Sequence, residues 1–282
     1  MHEEIELFGV ASQLAGCRHM PDSPPAAGVV ICSSAPFDAA VDHGRAARLG
    51  RRLAQAGVAV QRFHPLGTPA DRDPAEIRFA SLVDDAWQAV ALLRDRCGVE
   101  RLGFVGARLG ALVAARVARP LDGAPLALWE PAVDPRTVVE QAAQTRLVRQ
   151  RAGVASWAGG PSIDVFDTPL GVELWDGTLV GGLLDEIGDR PRPLLVAQTA
   201  DGDALRADYD TLVARARARE LTVDAACYPC DGQRDGVPVP IAAADALVDD
   251  TAAWLVAHLQ ASGEAGPGGP PPGADVQPRE RP

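Results

Sequence analysis

The chain has 282 residues, 47% of them hydrophobic, enough to fill one large α/β domain or two small ones. Its 27 basic residues stand against 38 acidic ones, a formal charge of −11, which argues against nucleic acid and anionic membrane surfaces as partners. Every basic residue is arginine, and lysine and asparagine are absent, as in GC-rich genomes, so an arginine alone is a weak functional signal.

The opening MHEEIELFGV is acidic and lacks the positive-then-apolar order of a secretion signal. No stretch reaches the ~18 apolar residues of a membrane span. With an odd count of five cysteines, this predicts reduced thiols and a cytoplasmic protein. The first 20 residues predict two antiparallel edge strands. GVVICSS (28–34), VAVQRF (58–63), RLGFVG (101–106), PLALWE (125–130), PLLVAQT (193–199) and LTVDAACY (221–228) read as strands buried on both faces. Helix patterns fall between them at about 43–56, 76–97, 109–119, 204–219 and 241–260. The clearest, 76–97, aligns Val83, Ala86, Trp87, Val90 and Leu93 on one side.

This alternation predicts a mostly parallel sheet with helices on both faces. The gap between Glu130 and Leu194 breaks the rhythm. Residues 131–190 therefore read as a helical cap inserted above the strand ends. The core is 1–130 with 191–261, and the Pro/Gly-rich 262–282 predicts a disordered tail.

The stretch GFVGARLGALVAARVA (103–118) runs from strand through a glycine turn into a helix. That is the layout of the G-x-S-x-G elbow, with Gly106 and Gly110 in place and Arg108 where the serine belongs. With APFDAAVDHGRAARLGRRLAQAGVAV (35–60) and GVELWDGTLVGGLLDEI (171–187), it resembles the α/β-hydrolase superfamily, and most closely the hydrolases associated with the exosortase A system, relatives of the serine aminopeptidase-like group. The resemblance spans about residues 5 to 260. It implies an α/β-hydrolase fold and a setting in extracellular polysaccharide production. The chain departs from it at HPLGTPAD (64–71), where His64 replaces an aspartate, and at YPCDGQRDG, which lacks the superfamily's histidine.

Hydrolysis needs a nucleophile, a base and an orienting acid. Arg108 stays protonated and has no acceptor lone pair, so it cannot be the nucleophile. Asp201 or Asp203 fits the acid, but no histidine lies between the eighth strand and the last helix. Two function classes follow. One is a non-catalytic or non-standard homologue that binds an anionic or carbonyl-bearing small molecule, or a partner protein, at the elbow. Its lining is Arg108, Ala107, Leu109, Ser34, Pro36, Phe37 and Glu130, with Glu130, Asp201 or Asp203 as internal ion-pair candidates for Arg108. The other is an active ester or acyl hydrolase with a relocated Ser34–His64 pair and Asp201. The CYPC stretch (Cys227, Cys230) lacks the helix N-terminus that activates a thiol and the second pair that zinc requires. No cofactor or metal is expected.

Overall fold

The computed structural model describes residues 1–9, 14–33, 39–64, 78–135, 162–165, 168–171, 181–200, 202–229 and 241–261. Eight strands form the main sheet: β1 (His2–Phe8), β2 (Leu14–Met20), β3 (Ala27–Cys32), β4 (Val58–His64), β5 (Leu102–Ala107), β6 (Leu126–Trp129), β9 (Pro193–Ala200) and β10 (Thr222–Pro229). Their order is β1-β2-β4-β3-β5-β6-β9-β10. β2 runs antiparallel to β1 and to β4, and the remaining pairs are parallel.

Six helices are described: α1 (Ala39–Gln55), α2 (Phe79–Cys97), α3 (Leu109–Ala118), α4 (Leu183–Ile187), α5 (Ala207–Ala218) and α6 (Ile241–Ala261). The strand period of two divides the core. Val30, Phe104, Leu126, Leu128, Leu194 and Val196 face α2, α3, α4 and α5. Val29, Ile31, Val105, Ala127, Trp129 and Ala197 face α1 and α6. Both faces are covered, which is why these strands read as continuous apolar runs.

On α2 the buried stripe is Phe79, Leu82, Asp85, Ala86, Ala89, Val90 and Leu93, while Val83 and Trp87 are only partly buried. The helix is therefore turned by a few tens of degrees from the predicted face. It ends at Gly98, whose φ of 64° is the left-handed conformation glycine adopts most readily.

The cap expectation falls largely on residues outside the described set, as does the tail from 262. What is described between 131 and 190 adds strands that the sequence reading did not expect. Besides α4 there are two short antiparallel strands, β7 (Ser162–Val165) and β8 (Thr168–Gly171). The β-branched Ile163, Val165 and Thr168 favour strand, and segments of four residues are too short for a helix.

Candidate functional site

β5 passes directly into α3 through Arg108, whose φ of 49° and ψ of −114° make the turn. Two glycines allow it. A Cβ at Gly106 would stand 2.5 Å from the Ala111 Cα and from the Gly110 carbonyl oxygen. One at Gly110 would stand 2.5 Å from the Ser33 carbonyl oxygen, and closer still to that of Cys32. The start of α3 is thus pressed onto the carboxyl end of β3. Backbone bonds then latch the turn to the exit of β6. Arg108 N–H donates to Trp129 O at 3.0 Å, and Ala132 N–H donates to Arg108 O at 3.1 Å.

Glu130, the first residue after β6, also has positive φ, 46°. Its side chain is 10% exposed and Arg45 grips it with two parallel bonds, 3.0 Å to Oε1 and 2.9 Å to Oε2. The Thr199 hydroxyl donates to Oε1 at 2.5 Å, and the Thr199 N–H reaches the same oxygen at 3.2 Å. Arg108 completes the group, with its Nη2 4.0 Å from Oε2 and its side chain 39% exposed. Burial would push the Glu130 carboxyl up. The Arg45 bonds and charge, the Arg108 charge and the Thr199 bond outweigh it and hold the pKa at about 2. Glu130 is ionised throughout the physiological range.

Arg45 is 2% exposed and is itself held in place. Its guanidinium carbon lies 5.4 Å from the centroid of the Trp129 ring, a cation–π contact, and the Trp129 indole N–H donates to Thr251 Oγ1 at 3.0 Å. Tyr209 lies on the other side. Burial raises its phenol pKa, and the charges of Glu130 and Arg108 both act on it. Arg206 stacks on that ring at 4.6 Å and donates to its oxygen at 3.3 Å.

Of the residues expected from sequence, the structure brings together Arg108 and Glu130. Ala107 and Leu109 flank the turn, but their side chains are buried in the two cores. Asp203 is exposed. Ser34, Pro36, Phe37, Asp201 and Cys230 lie outside the described residues, as does the His64 side chain. The strands that lead to Ser34 and His64 are neighbours, with Cys32 paired to Phe63. Cys227 sits within β10 and its sulfur accepts a bond from Gln198 Nε2 at 3.3 Å.

Sequence reading missed Arg45, Thr199, Thr251 and Tyr209. One of them had a signal. Arg45, Leu49 and Leu53 follow one another at i, i+4 and i+8, and both leucines are fully buried, so an arginine occupies the apolar stripe of α1. A buried guanidinium needs buried acceptors, and a carboxylate is the strongest of them.

One more group has ligand chemistry: Glu3, Cys17 and His19 on β1 and β2. Arg51 Nε lies 2.6 Å from Glu3 Oε1, and Arg62 Nε donates to His19 Nε2 at 2.9 Å. Burial and the Arg62 charge hold His19 neutral, with its pKa at about 4. Two guanidiniums against one carboxylate do not fit a metal cation.

The strand order, the antiparallel start and the strand–elbow–helix unit define the α/β-hydrolase fold. Solved structures agree. The chain is similar to Est1E from Butyrivibrio proteoclasticus, at TM-score 0.63 and 13% identity over 92% of this chain and all of that one. It is similar to the esterase domain of a Rhodothermus marinus protein, at 0.60 and 16% identity, covering 92% and 98% of the two chains. It is also similar to a Pyrobaculum calidifontis esterase, at 0.58 and 18% identity, covering 91% and 85%. At such identities the likeness carries the fold alone. No protein-family profile and no curated protein sequence matches the chain. Among the described residues no helix is long and apolar enough to cross a membrane.

Proposed function

We propose that this α/β-hydrolase-fold protein does not hydrolyse through a nucleophile at its elbow, and that the elbow instead binds a small molecule bearing a carboxylate or polarised carbonyl. The supporting observation is where Arg108 stands. It takes the nucleophile's place in the elbow with its side chain partly exposed, 4.0 Å from Glu130, while Arg45 and Thr199 make the close bonds to that carboxylate. It also lies at the N-terminus of α3, where the helix dipole favours an anion. The backbone supports the same reading. Arg108 and Glu130 both hold positive φ, at about 1–3 kcal/mol each, and such strain collects at functional sites. A place in exopolysaccharide production rests on the Gly-Ala-Arg-Leu-Gly elbow and its resemblance to the exosortase-associated hydrolases. A partner protein offering an acidic side chain to Arg108 fits the same charge.

The test has two arms. Fluorophosphonate probes should not label the protein, and nitrophenyl esters should turn over at background. Labelling that Ser34→Ala removes would establish the relocated pair and overturn this reading. In the second arm, acetate, butyrate and benzoate at millimolar concentration should raise the melting temperature of the wild type and not that of Arg108→Ser. If Arg108→Ser is destabilised while its response to the acids is unchanged, Arg108 is structural and the anion site is refuted.

A further inference from the structure

We infer that the outer edge of β1 is a docking edge for an extended segment of another protein, one that alternates apolar with basic residues. β1 is seven residues long and ends the main sheet. On its outer side the backbone N–H and C=O groups are arranged to accept another strand, and among the described residues none pairs there. Ile5 is 87% exposed and Leu7 63%. They stand two apart, so they share one face of the strand, and among the described residues they are the exposed large hydrophobics of the molecule. Ile5 also forms a wall of a groove of about 200 Å³ that continues over Ala15, Cys17 and Phe63. An added strand with apolar residues on this side covers both side chains.

The opposite face decides the charge of the occupant. It carries Glu4 and Glu6, and both pair with the one guanidinium of Arg18, with Arg18 Nη1 2.7 Å from Glu6 and Nη2 on Glu4. Two carboxylates share one guanidinium, with the His2 ring 3.1 Å from Glu4 as the other partner on this face, and the Glu4 side chain is 45% exposed, so the face is rich in carboxylate. Glu3, on the Ile5 face, is more than balanced by Arg51 at 2.6 Å and by Arg62 behind it, so the surplus of carboxylate is confined to the Glu4 face. A second copy of this chain is a poor occupant. Antiparallel self-pairing keeps like faces together, so it brings four carboxylates and two guanidiniums onto one face. A strand with lysine or arginine on that face, and Val, Ile or Leu on the other, closes the charge and covers the apolar pair together.

The probe is a fluorescein-labelled, N-acetylated peptide of alternating lysine and valine, seven residues long, read by anisotropy against the full chain. Two controls accompany it: the glutamate–valine analogue, and a peptide of the same composition with the alternation scrambled. The expected result is saturable binding of the lysine–valine peptide, at least tenfold tighter than either control and at least tenfold weakened in Ile5→Ser/Leu7→Ser. Hydrogen exchange on the wild type provides a readout that needs no variant, since the peptide should slow amides of β1 and leave β10 unchanged. Equal binding of all three peptides, or none, overturns the proposal. So does sedimentation showing a wild-type dimer that Ile5→Ser/Leu7→Ser dissociates, because the occupant would then be a second copy.

Discussion

Glu130→Gln should be among the most destabilising conservative substitutions in this protein. It removes the carboxylate that both Nη atoms of Arg45, 2% exposed, bond to. Breaking a buried ion pair from one side costs about 3–5 kcal/mol, because the remaining charge stays desolvated. For a domain of this size that lowers the melting temperature by roughly 6–20 °C. Arg52→Ala supplies the contrast. Arg52 meets Asp249 at 2.8 Å, but both side chains are more than half exposed, so its loss should stay within about 1 kcal/mol. Thermal melts of the two variants at pH 7 check the prediction, and equal melting temperatures would refute the buried pair. Arg45→Met combined with Glu130→Leu should recover part of the loss, since neither charge is then stranded.

The same pair sets a pH dependence. In the folded chain the Glu130 carboxyl titrates at about 2, below its ordinary value of 4.5. A depressed carboxyl contributes stability above its unfolded pKa and loses it as pH falls through the folded one. The contribution is therefore full above about pH 4.5 and fades towards pH 2, and the displacement corresponds to about 3 kcal/mol. Glu130→Gln should flatten the acid limb of the stability curve across that interval. An unchanged limb would show that Glu130 is not held as described.

The sheet was legible in the sequence because strands buried on both faces leave short apolar runs between glycines and prolines, and the Gly106–Gly110 spacing reports a turn too tight for side chains. The elbow residue, Arg108, could be read off the same stretch. The charge group around it was half visible. Glu130 ends a predicted strand, so its place beside the elbow comes from the strand order. Its partner Arg45 lies 85 residues earlier in the chain and is joined to it only by the packing of α1 on the sheet. Thr199 ends a predicted strand, and nothing in PLLVAQT marks its hydroxyl as a ligand for a carboxylate. The β7–β8 pair was missed because segments of four residues carry no period long enough to separate strand from loop.

Gly110→Ala tests the elbow itself, because two effects predict opposite signs. Gly110 lies in the first turn of α3, where alanine is favoured over glycine by up to ~1 kcal/mol on helix propensity. If only the helix mattered, the substitution would stabilise the protein. The added methyl, however, would meet the carbonyl oxygens of Cys32 and Ser33, the latter at 2.5 Å, and neither can move aside as a side chain can. Overpacking in a rigid surround costs about 1–3 kcal/mol or more. The close approach wins, and Gly110→Ala should melt well below the wild type. Gly103→Ala is the companion, because its methyl would meet a Pro125 side-chain carbon at 3.3 Å, with the next neighbours at 3.5 Å, contacts that shifts of a few tenths of an ångström relieve. It should stay within about 1 kcal/mol of the wild type. The two also separate stability from the site. Displacing α3 from β3 moves the turn that carries Arg108, so Gly110→Ala should weaken any stabilisation by small carboxylates beyond its own loss of stability, and Gly103→Ala should leave it intact. A Gly110→Ala protein that melts at or above the wild type would mean that α3 does not press on β3, and the turn at Arg108 would have to be redrawn.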